Sequence, residues 1–418
     1  MSLASSTSPE AVHPEVGAGV RYVARQPILD LRGRLHGYEL LFRSGPETAF
    51  RGDDNLATRT MLDNSVLFGL EKLSGGVTAF VNCTHESLTE ALVDILPPSM
   101  TVLEILENIE PTPSLVKACR RLKTLGFRLA LDDFVWKPGV EPLIELADYI
   151  KVDFIQTGAD ARKILLKRLE TFAIALIAEK VETQGDYQRA RDEGFSLFQG
   201  YYFCRPVLME NRRVPANRLS HIEILRALHA DTIDLHDMSR LVKRDTSLTY
   251  RLLRLINSPL CAVRQEVSSV EGALIAVGED VFRRIATLAI TSELNANQPQ
   301  EVLRMAFVRG RFCELAADMC ELNSTEQYLL GLLSLLPAML RMPMQELAPA
   351  LPLREEIVQA LKGADLPEGV LLAWLVNHEH GDWEGCDTII QSHGLELGHL
   401  ELCYAEAVAW AESALHFS

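Results

Sequence analysis

The sequence has no apolar run long enough to span a bilayer, and its N-terminus shows no basic-then-apolar signal pattern. We therefore expect neither a membrane-spanning helix nor a secreted protein. Positive charge is scarce, since 41 Lys and Arg face 57 Asp and Glu, for a net charge of −16. This balance argues against binding to DNA, RNA or anionic membrane, but it permits a small anionic ligand held together with metal ions.

Cysteine pairing signals are also missing. The eight cysteines are scattered, with no CxxC motif and no regular framework, which favours reduced thiols in a cytoplasmic protein. Apolar content of 48% and charged content of 23% are ordinary for a globular chain, and a length of 418 residues predicts two or three domains. Residues 1–19, rich in Ser, Pro, Ala and Gly, are predicted to be a disordered leader.

Residues 20–207 alternate short β-prone runs with helical patterns. A hairpin is predicted over 21–29 and 35–43 and a helix over 53–72, followed by strands at 79–83, 101–107, 129–134, 148–154, 174–182 and 195–203. This alternation predicts a parallel sheet covered on both faces. Because the segment is short for that architecture, we expect a shortened TIM-like α/β barrel with trimmed βα units.

Polar side chains recur at or near the ends of these predicted strands. They are Glu39, Asn82, Glu104, Asp132, Asp133, Lys151, Asp153, Glu179 and Gln199. Any single one could be a helix cap or a structural ion pair, but the carboxyl ends of parallel strands meet at one rim of a barrel. So many oxygen donors suit Mg²⁺ or Mn²⁺, and a pair of such ions suits phosphodiester hydrolysis.

Strand signals disappear after a predicted boundary at 205–218, and helical periodicity dominates residues 208–418. We expect an all-α second domain. His378 and His380, in NHEHGDW, are predicted to lie in a polar loop rather than in a metal site.

The ordered motifs of the first domain resemble the EAL domain of bacterial cyclic-di-GMP signalling proteins. In chain order they are GYELLFR with Glu39, FVNCT, LEILEN, LALDDF, Lys151-Val-Asp153, AEKVE and Gln199-Gly-Tyr201. Together they cover about 180 residues in the family's order.

The resemblance implies specific roles. Two divalent cations, Mg²⁺ or Mn²⁺, would be bound or supported by Glu39, Asn82, Glu104, Asp132, Asp133 and Glu179. Lys151 would help to hold the attacking water, Gln199 would support the site, and Glu182 is a nearby acid assigned to the substrate. Arg43 would contact a substrate phosphate, for which a guanidinium fork is suited. The implied reaction opens cyclic-di-GMP to linear pGpG.

Two features depart from the family pattern. The loop after the paired aspartates reads DDFVWKPGVEP instead of a DDFGTGYSS-like sequence, and Glu107 matches the acid that anchors this loop in the family. The glycine of the AEGVE motif is Lys180, which could substitute for a cation or block substrate. The loop also supports dimerisation in the family, so a homodimer is an implied possibility.

The second domain resembles the HDOD domain, on the strength of RDTSLTYRLLRLINSPL and SSVEGALIAVGEDVFRRIATLAI. No His-Asp pair occurs in LLGLLSLLPAML, so we expect a regulatory or protein-binding domain without metal catalysis. Two functions stay open, a phosphodiesterase and a catalytically silent receptor or scaffold. A third, an enolase-like Mg²⁺ enzyme with Lys151 as base, rests on fold analogy and is opposed by the ordered motifs.

Overall fold

The protein's structure is a computed structural model that describes residues 22–43, 70–204, 216–228, 239–240, 242–243, 245–257, 267–295, 298–351 and 353–415. Within these residues eight strands close into one barrel in chain order. They are β1 (Tyr22–Asp30), β2 (Leu35–Arg43), β3 (Thr78–Cys83), β4 (Thr101–Ile105), β5 (Arg128–Leu131), β6 (Tyr149–Asp153), β7 (Ala175–Glu179) and β8 (Leu197–Gln199). Strand β1 runs antiparallel to β2 and β8, and the other neighbours are parallel.

The predicted TIM-like barrel is confirmed. It keeps eight strands, and it is shortened in the helices that connect them. The first two strands form the predicted hairpin, with Gly33 in the turn at φ 71°. The helices around the barrel are α1 (Leu70–Ser74), α2 (His85–Thr89), α3 (Pro113–Thr124), α4 (Glu141–Ile144), α5 (Ala159–Leu169) and α6 (Gln184–Asp192). Helices α2 and α4, with 5 and 4 residues, are little more than one turn each.

The barrel interior is a closed apolar layer with polar side chains directly above it. The layer consists of Ile28, Phe80, Val102, Ala130, Tyr149, Ile177 and Leu197, which come from seven different strands. Since strand side chains alternate with a period of two, the residue two positions along each strand faces the same interior. Strand β2 has Gly37 at this level, where a Cβ atom would lie 2.5 Å from the Thr78 carbonyl oxygen.

Helices make up the second half of the described chain, as predicted. They are α7 (Ala216–Leu228), α8 (Thr246–Ile256), α9 (Val270–Val277), α10 (Glu279–Leu294), α11 (Gln300–Ala316), α12 (Ser324–Leu333), α13 (Leu336–Leu340), α14 (Met344–Leu347), α15 (Glu355–Leu361), α16 (Val370–His380), α17 (Trp383–His393) and α18 (Leu397–Leu415). Helix α11 is the most enclosed, and its buried residues include Val302, Ala306 and Phe312. The seven described cysteines are free thiols.

A buried polar network joins the outer face of the barrel to α11 and α18. The Tyr38 hydroxyl of β2 donates a hydrogen bond of 2.8 Å to Glu301 of α11. Arg25 of β1 lies 3.1 Å from Glu412 of α18, which also pairs with Arg304. The two halves therefore share a bonded interface in addition to apolar contacts.

Several sequence-based boundaries need correction. The predicted strands at 174–182 and 195–203 were too long, because the chain leaves β7 after Glu179 and turns at Gly200. The prediction of a loop around His378 and His380 was wrong, since both residues lie in α16. The leader, most of the helix predicted over 53–72, and nearly all of the boundary at 205–218 fall outside the described residues. None of the described helices is both long and apolar enough to cross a membrane.

Candidate active site

The ammonium group of Lys151 lies at the centre of four carboxylates. Its Nζ atom is 3.0 Å from Glu39, 2.9 Å from Glu104, 2.8 Å from Asp132 and 2.9 Å from Glu179. The lysine side chain is fully buried, and none of the four acids is more than 13% exposed. Each of these residues comes from a different strand or strand end, two positions beyond the apolar layer in β4 to β7, so the barrel register itself brings them together.

Two amide side chains bind the Glu39 carboxylate, and a third amide binds one of these two. Asn82 donates to Glu39 Oε1 at 3.1 Å, and Gln199 donates to Oε2 at 2.6 Å. Gln199 also donates to Gln26 Oε1 at 3.0 Å. With Gln26 included, all eight strands contribute a polar group to this rim or, for β5, the residue that follows it.

Burial and mutual repulsion raise the pKa values of three of the carboxyls. Burial, together with the charge of Glu39, holds the pKa of Glu104 well above its usual range. Burial also raises the pKa of Asp132, and it raises that of Glu179 to about 8 despite the attraction of Lys151. For Glu39 the burial effect is outweighed, because Lys151 and the amide donors lower its pKa. One lysine ammonium is thus too little positive charge to keep all four acids ionised.

A second lysine lies beside this cluster. Lys180, directly after β7, pairs its ammonium with Asp153 and lies 3.6 Å from Asp133. Partial burial opposes ionisation of Asp153, but the hydrogen bond from Lys180 and two backbone N–H donors lower its pKa. Lys180 is 47% exposed, so it stands at the mouth of the site and Lys151 at its floor.

The donor set fits a hard divalent cation. Among the described residues of this rim, five buried oxygens have neither a hydrogen bond nor an ion pair, namely Asn82 Oδ1, Glu104 Oε2, Asp133 Oδ1, Glu179 Oε2 and Gln199 Oε1. No three acidic, His or Cys side chains in the described part of the chain are set at the distances of a ready-made metal site. The carboxylates instead surround an ammonium group, so small side-chain shifts would have to accompany metal binding. Oxygen-only donors in this number suit Mg²⁺-like ions rather than zinc.

The remaining predicted residues are placed differently. Glu107 is exposed beyond the end of β4, and only its main-chain carbonyl is bonded to the loop, by Lys137 Nζ at 2.6 Å. Glu182 is half-buried, three residues after Glu179. Arg43 is the last residue of β2, and its side chain lies outside the described residues.

Gln26 is the residue of this rim that the sequence-based prediction omitted. It was overlooked because β1 runs against the other strands, so its polar residue does not stand at a carboxyl end. The hairpin register would have identified it, since Gln26 is directly paired with Glu39.

Comparison with known families agrees with this architecture. The EAL domain model matches residues 78–206, and the HDOD domain model matches residues 215–350. The fold and the acidic rim therefore define a protein with an EAL-type barrel followed by an HDOD-type helical domain.

Two curated relatives cover nearly the whole chain. The cyclic di-GMP phosphodiesterase CdgJ of Vibrio cholerae is 33% identical over 384 residues, which are 90% of this chain and 88% of CdgJ. The uncharacterised protein YuxH of Bacillus subtilis is 31% identical over 94% of this chain and 98% of its own. The chain belongs to the EAL–HDOD family of two-domain signalling proteins.

Solved structures of EAL proteins are similar to the barrel half. The calcium and cyclic-di-GMP complex of Klebsiella pneumoniae BlrP1 is 25% identical, with a TM-score of 0.37, and covers 44% of this chain and 55% of that one. The cyclic-di-GMP complex of the phosphodiesterase PaMucR is 21% identical, with a TM-score of 0.38, and covers 48% of this chain and 99% of that one.

Proposed function

We propose that the barrel is a metal-dependent phosphodiesterase that opens cyclic-di-GMP to linear pGpG. The observation that carries this proposal is the convergence of four carboxylates within 3.0 Å of the Lys151 ammonium, at one rim of the barrel. Similarity to CdgJ over 90% of the chain supports the choice of substrate.

In this proposal the acids of the cluster hold Mg²⁺ or Mn²⁺, with Asn82 and Gln199 fixing the orientation of Glu39. When held by these acids, the cation would supply Lewis acidity for a water molecule and positive charge opposite the phosphate. The water oxygen would bond to phosphorus and give up a proton, the P–O3′ bond would break, and the leaving 3′ oxygen would take up a proton. Lys151, fully enclosed, orients the water and offsets negative charge as it develops. Arg43 and Glu182 are proposed to contact the nucleotide.

We assign a regulatory role to the helical domain, which contacts the catalytic rim directly. Gln26 Nε2 donates to the His380 carbonyl at 3.2 Å, and Tyr201, two residues after Gln199, donates to the Glu379 carbonyl. A partner protein or a second copy of the chain bound to the helices could thus alter the rim.

The test is incubation of the full chain with Mn²⁺ or Mg²⁺ and cyclic-di-GMP, with pGpG followed by chromatography. We expect product from the native chain and none from Glu39→Gln, which removes one charge and retains the shape of the side chain. Lys163→Gln, on the exposed face of α5, serves as a control with the charge changed away from the rim. Tight nucleotide binding without product would contradict hydrolysis and identify a receptor, and absence of binding would contradict the nucleotide assignment.

A further inference from the structure

The acids at the rim form two groups, each with its own lysine. The inner group sets four carboxylates against Lys151, an excess of three negative charges when all are ionised. The outer group sets Asp133 and Asp153 against Lys180, an excess of one. The inner group therefore has the larger excess of negative charge and would attract a further cation more strongly than the outer group.

The backbone fixes Lys180 at this position. Its φ is 53°, in the left-handed region that a side chain other than glycine adopts only at an energetic cost. Val181, the next residue, is fully buried, and its N–H donates to the Gln199 carbonyl at 3.0 Å. Gly200 permits this close approach, because a Cβ there would lie 2.3 Å from the Val181 carbonyl oxygen. The chain is thus held directly after a strained residue whose side chain reaches two acids.

A divalent ion between Asp133 and Asp153 would compete directly with the Lys180 ammonium. The two acids are already partly neutralised, so the ion would gain less attraction there and meet repulsion from a nearby positive charge. The inner group differs, because Glu104 Oε2 and Glu179 Oε2 are buried without hydrogen-bond partners and one ammonium serves four acids.

We propose that Lys180 supplies a built-in positive charge in the outer half of the site, so that the chain binds one divalent cation, in the inner half, where a two-metal site would bind two. This inference rests on the proposed function and refines its metal requirement. The Lys180 ammonium then stands where it can meet the substrate phosphate at the mouth of the site.

The test counts bound Mn²⁺ on the full chain after treatment with a chelator, by calorimetric titration and by electron paramagnetic resonance. We expect one Mn²⁺ per native chain and two per Lys180→Gly chain, with dipolar coupling between the ions in the variant only. Glycine relieves the backbone strain at this position, so the variant should fold at least as well as the native chain. Lys180→Met removes the charge and keeps the length, and Lys163→Met makes the same change on the exposed face of α5 as a control.

Two Mn²⁺ ions in the native chain would overturn this inference while leaving the proposed hydrolysis intact. One ion in the native chain, in Lys180→Gly and in Lys180→Met would also overturn it, because the lysine would then not be what excludes the second ion. No bound Mn²⁺ in any variant would overturn both this inference and the proposed function. Two ions in both Lys180 variants, with one in the native chain and in Lys163→Met, would support it.

Discussion

Gln26 Nε2 donates a hydrogen bond of 3.2 Å to the main-chain carbonyl of His380, which links the helical domain to the amides that hold Glu39. Gln26 Oε1 accepts from Gln199, and Gln199 donates to Glu39 at 2.6 Å. Three consecutive hydrogen bonds thus run from a helix end in one domain to a carboxylate of the candidate active site in the other.

Replacing Gln26 with leucine should therefore weaken metal binding. A hydrogen bond contributes about 0.5–1.5 kcal/mol, so we expect Mn²⁺ affinity to fall by about 2- to 10-fold. Calorimetric titration measures this loss, and Gln188→Leu on the exposed side of α6 is the control. Equal affinities in both variants would show that the link to His380 does not influence Glu39.

Lys151→Met should destabilise the metal-free protein strongly. Removing the ammonium leaves four buried acids without their shared positive partner, and breaking a buried ion pair costs about 3–5 kcal/mol. Added Mn²⁺ should raise the stability of this variant more than that of the native chain, because the cation replaces the lost charge. Urea unfolding with chelator and with Mn²⁺ gives both values. Insensitivity of the variant to Mn²⁺ would contradict a metal site here.

The stability of the metal-free protein should fall as pH rises from about 4.5 to about 8. Burial raises the pKa of Glu179 to about 8, so the folded state holds a proton that the unfolded chain releases at lower pH. Stability from this group is present at low pH and is lost as pH rises through the folded pKa. Urea midpoints in chelator, measured across this range, should show less decline in Glu179→Gln. An equal decline in the variant would exclude Glu179 as its source.

The barrel could be predicted from sequence because each strand carries two sequence signals. Runs such as Leu129 to Leu131 are apolar and short, and the polar residue at the rim stands at a fixed offset from a buried one. Glu104 and Lys151 were therefore identifiable as site residues from their strands alone. The position of the Lys151 ammonium among the acids depends on how eight strands close, which no single strand specifies.

Tertiary contacts explain what the sequence did not predict. The polar run around His378 indicates a loop by local composition, but His378 is fully buried beside Trp374 and Tyr404, which hold it within a helix. Gln26 belongs to the one antiparallel strand, so the rule that applies to parallel strand ends did not include it. The rim contact of Gln26 is made with Gln199, 173 residues further along the chain, so local sequence does not reveal it.

Tyr38→Phe should weaken the contact between the two domains. Both Tyr38 and Glu301 are buried, at 1% and 5% exposure, so losing the hydroxyl leaves a buried carboxyl oxygen without its donor. The expected cost is about 1–3 kcal/mol in the free energy of unfolding. Urea unfolding measures it, and Tyr250→Phe, at a side chain 65% exposed, is the control. A cost equal to that of the control would mean that this bond does not stabilise the interface.

Lys137→Ala and Glu107→Ala should affect the loop after Asp133 differently. Lys137 donates to the main-chain carbonyl of Glu107, which every residue type at position 107 retains. We therefore expect amide hydrogen exchange in residues 133–140 to become about 2- to 10-fold faster in Lys137→Ala and to stay unchanged in Glu107→Ala. Equal acceleration in both variants would assign the anchor to the Glu107 carboxylate instead. Trp136 packs edge-on against Phe134, with ring centroids 6.4 Å apart, and keeps the loop attached in either variant. A difference in exchange between the two variants therefore reports the Lys137 hydrogen bond and not detachment of the whole loop.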